Sequence, residues 1–162
     1  MPENASDDGK FAAYYTIGTQ YDGLGQLDKA RDAYLEAEKY QPERYSVYMS
    51  LYNVYLEMQD FGNAKLVIEK ELKRDEADPE VWRQYIALQK ERFNASEAGM
   101  DALYNMALKA TGNSPTIMAL YSEFLEGLGD NSRAISYLEK AKKANPDGKD
   151  LYDREIVRLK QK

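Results

Sequence analysis

The sequence predicts an all-α fold built from repeated helix pairs, and three observations carry that prediction. Long segments are rich in Ala, Leu, Glu, Lys, Gln and Met, the readiest helix formers, and strand-like alternation is absent. Glycine and proline cluster at intervals, punctuating segments of roughly twelve to fifteen residues, the span of an ordinary helix. One phrase is written twice: GLGQLDKARDAYLEAEKYQP, Gly23 to Pro42, returns 104 residues later as GLGDNSRAISYLEKAKKANP, Gly127 to Pro146. Ala30 and Ala37 of the first stretch recur as Ala134 and Ala141.

Two further copies fill the gap. Gln26, Asp60, Asn94 and Asp130 stand 34, 34 and 36 residues apart. The last three are residue types that cap a helix by accepting from its free amides, and Gln26 is the weak member. Four residues after each comes Ala30, Ala64, Ala98 and Ala134. The units are therefore 11–44, 45–78, 79–114 and 115–148, and the excess in the third is expected near Gly99 and Met100.

Each unit supplies its own markers. In the first, Tyr14, Ile17, Gly18 and Tyr21 mark one helix, and Ala30, Tyr34 and Ala37 a second that Pro42 closes. The second has Tyr48, Leu51, Tyr52 and Tyr55, then Ala64 and Ile68, with Glu71 where alanine is the rule. The third has Trp82, Tyr85, Ile86 and Ala98, with Tyr104 and Ala107 resuming the pattern. The fourth has Met118, Tyr121, Ser122 and Leu125, then Ala134, Leu138, Ala141 and Pro146. Small residues let helices approach closely, and the large ones fill the spaces between them. Beyond Pro146, Tyr152, Ile156 and Leu159 fall on one stripe, predicting a capping helix over 149–162. The polar opening MPENASDDGK, residues 1–10, is expected to be frayed or disordered.

A period of 34 with two helices per unit and these residues in place resembles the tetratricopeptide repeat, over residues 11–148. The resemblance implies a right-handed α-solenoid of helix-turn-helix repeats. It also implies a non-catalytic scaffold that binds a peptide or helix of a partner protein in a concave groove lined by the first helices. Helical geometry puts Tyr15, Thr19, Asp22, Met49, Asn53, Leu56, Arg83, Lys90 and Glu123 on that exposed face, one step off the packing set. Tyr15 is expected to point into the groove, whereas Tyr14, Tyr21, Tyr34, Tyr48, Tyr52, Tyr55 and Tyr85 belong to packing. With Glu57, Glu80, Glu91 and Glu126 nearby, acids outnumber bases, so the groove is expected to be mildly acidic with an apolar middle at Met49 and Leu56. A basic or mixed peptide suits it. Asn53 and Arg83 are similar to part of the family's carboxylate clamp, but Tyr15 and Thr19 stand where that clamp has Lys and Asn.

Composition narrows the alternatives. The chain has no histidine and no cysteine, so a Ser-His-Asp or Cys-His site and thiolate metal sites are impossible within it. No enzyme activity, cofactor or metal is expected, because acid pairs such as Asp7-Asp8 lack calcium-loop spacing and Gly23 and Gly25 lie in a helix-helix turn. A net charge of −6 runs against nucleic-acid binding. No apolar run approaches a membrane span, so direct membrane insertion is not expected. An alternative reading is a structural or assembly module that self-associates as a homo-oligomer, or the soluble domain of a membrane-tethered envelope protein. The location would be cytoplasmic if the chain is full length and extracytoplasmic if it is truncated. A minor reading is an RNA-processing scaffold, because VWRQYIALQKERF and LYSEFLEGLGDNSRA also resemble half-tetratricopeptide repeats.

Overall fold

A computed structural model describes residues 6–161, and those residues form helices joined by short turns, with no strand among them. Helices α1 (Asp7–Gly23), α2 (Leu27–Tyr40), α3 (Tyr45–Glu57) and α4 (Phe61–Arg74) make one compact unit. Helices α5 (Pro79–Arg92), α6 (Glu97–Ala110), α7 (Pro115–Gly127), α8 (Asn131–Ala144) and α9 (Lys149–Lys160) make a second. A 3-10 turn, Pro146–Gly148, leads into α9.

The turns inside three of the pairs, α1–α2, α3–α4 and α7–α8, share one geometry. The amides of Gln26, Asp60 and Asp130 donate back to the carbonyls of Tyr21, Tyr55 and Leu125 at 2.8–2.9 Å. Gly25, Gln59 and Gly129, one residue earlier, take positive φ of 67°, 58° and 78°, the left-handed closure that ends a helix and satisfies its orphan carbonyls. Glycine does this at no steric cost; Gln59 carries a Cβ through it.

The small residues are buried as expected, with one exception at Ala98. Ala30, Ala64 and Ala134 are fully buried, as are Ala37, Ala107 and Ala141. Gly18 lies so close to the Tyr34 ring that an added Cβ would stand 2.5 Å from it. Ala98, by contrast, is exposed, and Met100 occupies the buried position. Ser96, not Asn94, caps α6: its hydroxyl accepts from the Gly99 amide at 3.1 Å, while Asn94 sits at φ 47° in the preceding turn. The extra two residues of the third unit therefore lie in the α5–α6 connection and not near Gly99 and Met100. The remaining expected caps, Asp60 and Asp130, accept from the amides of Asn63 and Arg133 at 3.1 Å, and Gln26 makes no side-chain cap bond.

Large residues tie down the loops that precede them. Tyr48 Oη donates to the Pro42 carbonyl, and 34 residues on, Trp82 Nε1 donates to the Glu76 carbonyl at 2.8 Å. Glu71 is fully buried in the place of alanine and is held by Arg74, whose Nε donates to Oε2 at 2.9 Å. The expectation for residues 1–10 needs correction in its second half. Ser6 accepts from the Gly9 amide, Asp7 and Asp8 favour the positive end of the helix dipole, and α1 runs from Asp7. Residues 1–5 and 162 lie outside the described residues. On α9 the buried residues are Tyr152, Ile156 and Leu159.

Candidate functional site

The first-helix faces hold the residues singled out for binding, and each unit holds its own set. In the first unit, Tyr15 does not simply project outward. Its ring stacks on Phe11 at 5.6 Å and packs against Tyr34 at 5.5 Å, and its hydroxyl reaches Ser50 of α3 at 3.2 Å. It is half-buried and braces α1 against α3. Asp22 accepts from Tyr34 Oη at 3.3 Å, and burial pushes that phenol up to about 12. Thr19 is exposed and donates to its own helix at the Thr16 carbonyl, 2.8 Å away. Asn53 is exposed on α3, flanked by half-buried Met49 and Leu56.

In the second unit, Arg83, Lys90 and Glu123 come together. They rim one hollow of about 160 Å³ between α5 and α7, with Ile86, Ala87 and Tyr104 beneath. Tyr104 and Phe124 pack ring to ring at 5.3 Å and fill its floor. Burial, with the Glu123 carboxylate as a lesser cause, pushes the Tyr104 phenol up to about 12. Arg83 Nε donates to Glu80 at 2.8 Å, which holds the Glu80 carboxyl below its ordinary range. The acid excess expected of this face is thus partly neutralised within the chain. The arrangement offers apolar floor, separated charges and no grouped nucleophile, base or metal-ligand set; among the described residues no cluster of three acids could hold a metal. No helix of the described residues is long and apolar enough to cross a membrane.

The family model described as Tetratricopeptide repeat matches residues 11–44 and 115–147. At those two positions the chain carries the tetratricopeptide repeat. Solved structures agree on the fold. One of MamA superposes with a TM-score of 0.61 at 18% identity, covering 94% of this chain and 88% of that one. PilF of Pseudomonas aeruginosa gives 0.55 at 21% identity, covering 90% of this chain and 66% of that one. YrrB, described as a TPR protein with an unusual peptide-binding site, gives 0.56 at 17%, covering 85% and 70%. No curated protein matches the sequence. Tetratricopeptide-repeat proteins are in general non-catalytic scaffolds that bind protein or peptide partners.

One feature of the repeat frame escaped sequence reasoning. A second hollow, of about 370 Å³, lies between α7 and α9, with Leu138, Leu151, Tyr152 and Leu159 on its walls. Leu151 is 55% exposed, whereas the residues at its repeat position, Val47, Val81 and Ile117, are fully buried. The signal in the sequence was the step from Phe124 to Arg158, 34 residues on, which removes the ring that fills the corresponding space at α5–α7.

Proposed function

We propose that this tetratricopeptide-repeat chain is a protein–protein interaction scaffold that docks an extended or helical segment of a partner on its first-helix faces. The observation that carries the reading is the hollow at α5–α7, where Arg83, Lys90 and Glu123 stand around an aromatic floor. Apolar side chains of the partner would seat on that floor. The two cations and the carboxylate would fix register and direction, because rim charges set specificity more than affinity. In the first unit Met49 and Leu56 offer apolar contact beside Asn53, and Tyr15 and Asp22 shape the wall through their bonds to Ser50 and Tyr34. The peptide-binding site named for YrrB, a protein of the same fold, supports the choice of a peptide segment.

An affinity pull-down from a lysate of the source organism tests it, with Asn53→Ala and Arg83→Ala made separately so that each unit is probed alone. Capture by the wild type and loss in either variant supports the reading. Equal capture by all three moves the interaction off the first-helix faces.

A further inference from the structure

The larger hollow at α7–α9 extends the peptide-docking reading and rests on it. Its size has a cause. At α5–α7 the space between first helices is filled by Phe124 and Tyr104, which leaves about 160 Å³. One repeat on, Arg158 and Leu138 take their positions, and about 370 Å³ stays open. α9 packs on α8 through Tyr152, Ile156 and Leu159, so Leu151 is left at the mouth, 55% exposed.

The rim carries charge of one dominant sign. Glu123, Glu126 and Glu155 line the hollow, and Arg158 is the single cation among its lining residues. Arg158 is already engaged: its two terminal nitrogens donate to both Glu126 oxygens at 2.6 and 2.7 Å, and Nη2 also reaches Glu155 at 2.7 Å. The guanidinium thus occupies the seat that an incoming lysine or arginine would take. Glu123, exposed, stands on the rims of both hollows and joins the second to the face already described.

We propose that the α7–α9 hollow is a docking pocket for a large apolar or aromatic side chain of a partner segment flanked by lysine or arginine. The partner's ring replaces the missing Phe124 counterpart over Leu138 and Leu151. Its cations meet Glu123 and Glu155 and compete with Arg158 for Glu126. Complementary charge and an unfilled apolar pocket act on the same segment.

The test uses the full chain and a labelled peptide with one tryptophan set between lysines, read by fluorescence anisotropy, beside a counterpart with glutamates. The lysine peptide is expected to bind and the glutamate peptide not to. Leu151→Asp is the deciding variant. It adds negative charge, so attraction to the acidic surface as a whole would tighten binding, whereas loss of the apolar seat weakens it by about tenfold. Glu123→Gln/Glu155→Gln is expected to weaken binding, and Arg158→Ala, which removes the competing guanidinium from Glu126, to tighten it several-fold. Circular dichroism checks that each variant is folded; Leu151 and Glu123 are exposed, so neither change disturbs the core. Unchanged or tighter binding by Leu151→Asp, equal binding of the two peptides, or no binding of the lysine peptide overturns the proposal. So does a dimer in sedimentation that Leu151→Asp dissolves, since a second copy is then the occupant. Peptide binding lost in Asn53→Ala or Arg83→Ala but indifferent to Leu151→Asp overturns this pocket and leaves the broader reading standing.

Discussion

Gly18 shows how much one residue decides. A methyl group there would press on the Tyr34 ring at 2.5 Å, and Tyr34 is itself buried and bonded to Asp22. Gly18→Ala gains helix propensity of about 1 kcal/mol. It should still destabilise the protein, because overpacking a core of this kind costs about 1–3 kcal/mol. A lower midpoint in urea, rescued by Tyr34→Leu, is the expected result. The cap of α6 offers a second residue-scale check. Ser96→Ala should cost about 1 kcal/mol, whereas Asn94→Gly should cost nothing and relieve a left-handed backbone. The reverse order of stabilities would restore Asn94 as the cap. At this scale the sequence was legible wherever a residue's size set its role, as at Gly18, Ala30 and Ala134. It misled where two polar residues, Asn94 and Ser96, competed for one cap, because both types bond backbone amides and only the turn geometry selects between them.

At the scale of elements, α4 and α6 carry the instructive departures. Glu71 fills the alanine position of α4 while fully buried, and Arg74, one turn on, donates to both its oxygens. Removing the cation alone leaves a buried carboxylate, so Arg74→Ala should cost roughly 3 kcal/mol, and Glu71→Ala clearly less. Equal losses would mean that the pair acts through packing alone. On α6, Asp101 accepts from Tyr121 Oη and from Arg133 at 2.9 Å, and these bonds, the phenol first, hold its carboxyl below the ordinary range. The unfolded chain binds that proton first as the pH falls. The stability Asp101 contributes is therefore present above about pH 4 and is lost as the pH falls from there through its lower folded value. Asp101→Asn should flatten the acid limb of a stability-against-pH curve; an unchanged limb would contradict the network. Helix periods and lengths were legible in the sequence because apolar spacing writes them directly. The α6 start was not, since a two-residue insertion in a turn leaves the flanking periodicity intact on both sides.

For the molecule as a whole, the repeat is the organising fact, and it was the most legible feature: one phrase, its period and its small residues were enough to reach the tetratricopeptide repeat. Tyrosines link the repeats to a shared response to alkali. Burial is the first cause that pushes Tyr34, Tyr104 and Tyr121 up to about 12. The unfolded chain releases these protons near pH 10, so their contribution is intact below that and lost as the pH rises toward 12. Tyrosinate absorbance should rise together with loss of helical circular dichroism; ionisation that completes while the helices persist would contradict the burial. What the sequence showed less well was the site. Periodicity placed Arg83, Lys90 and Glu123 on one face, and the structure adds the Tyr104 and Phe124 rings beneath them. Tyr15 was read as a projecting contact because its register alone cannot reveal Ser50, which lies 35 residues away in the chain. The hollow at α7–α9 was hidden in an absence, a ring replaced by Arg158.

The central claim is that partners dock on the first-helix faces, and site-specific photo-crosslinking tests it most directly. A benzophenone amino acid is placed at Glu91, on the rim of the α5–α7 hollow, or at Met106, 59% exposed on α6 and outside that hollow. Cross-linking to a bound partner from Glu91 and not from Met106 is the predicted result. Cross-linking from Met106 with none from Glu91 would contradict the account.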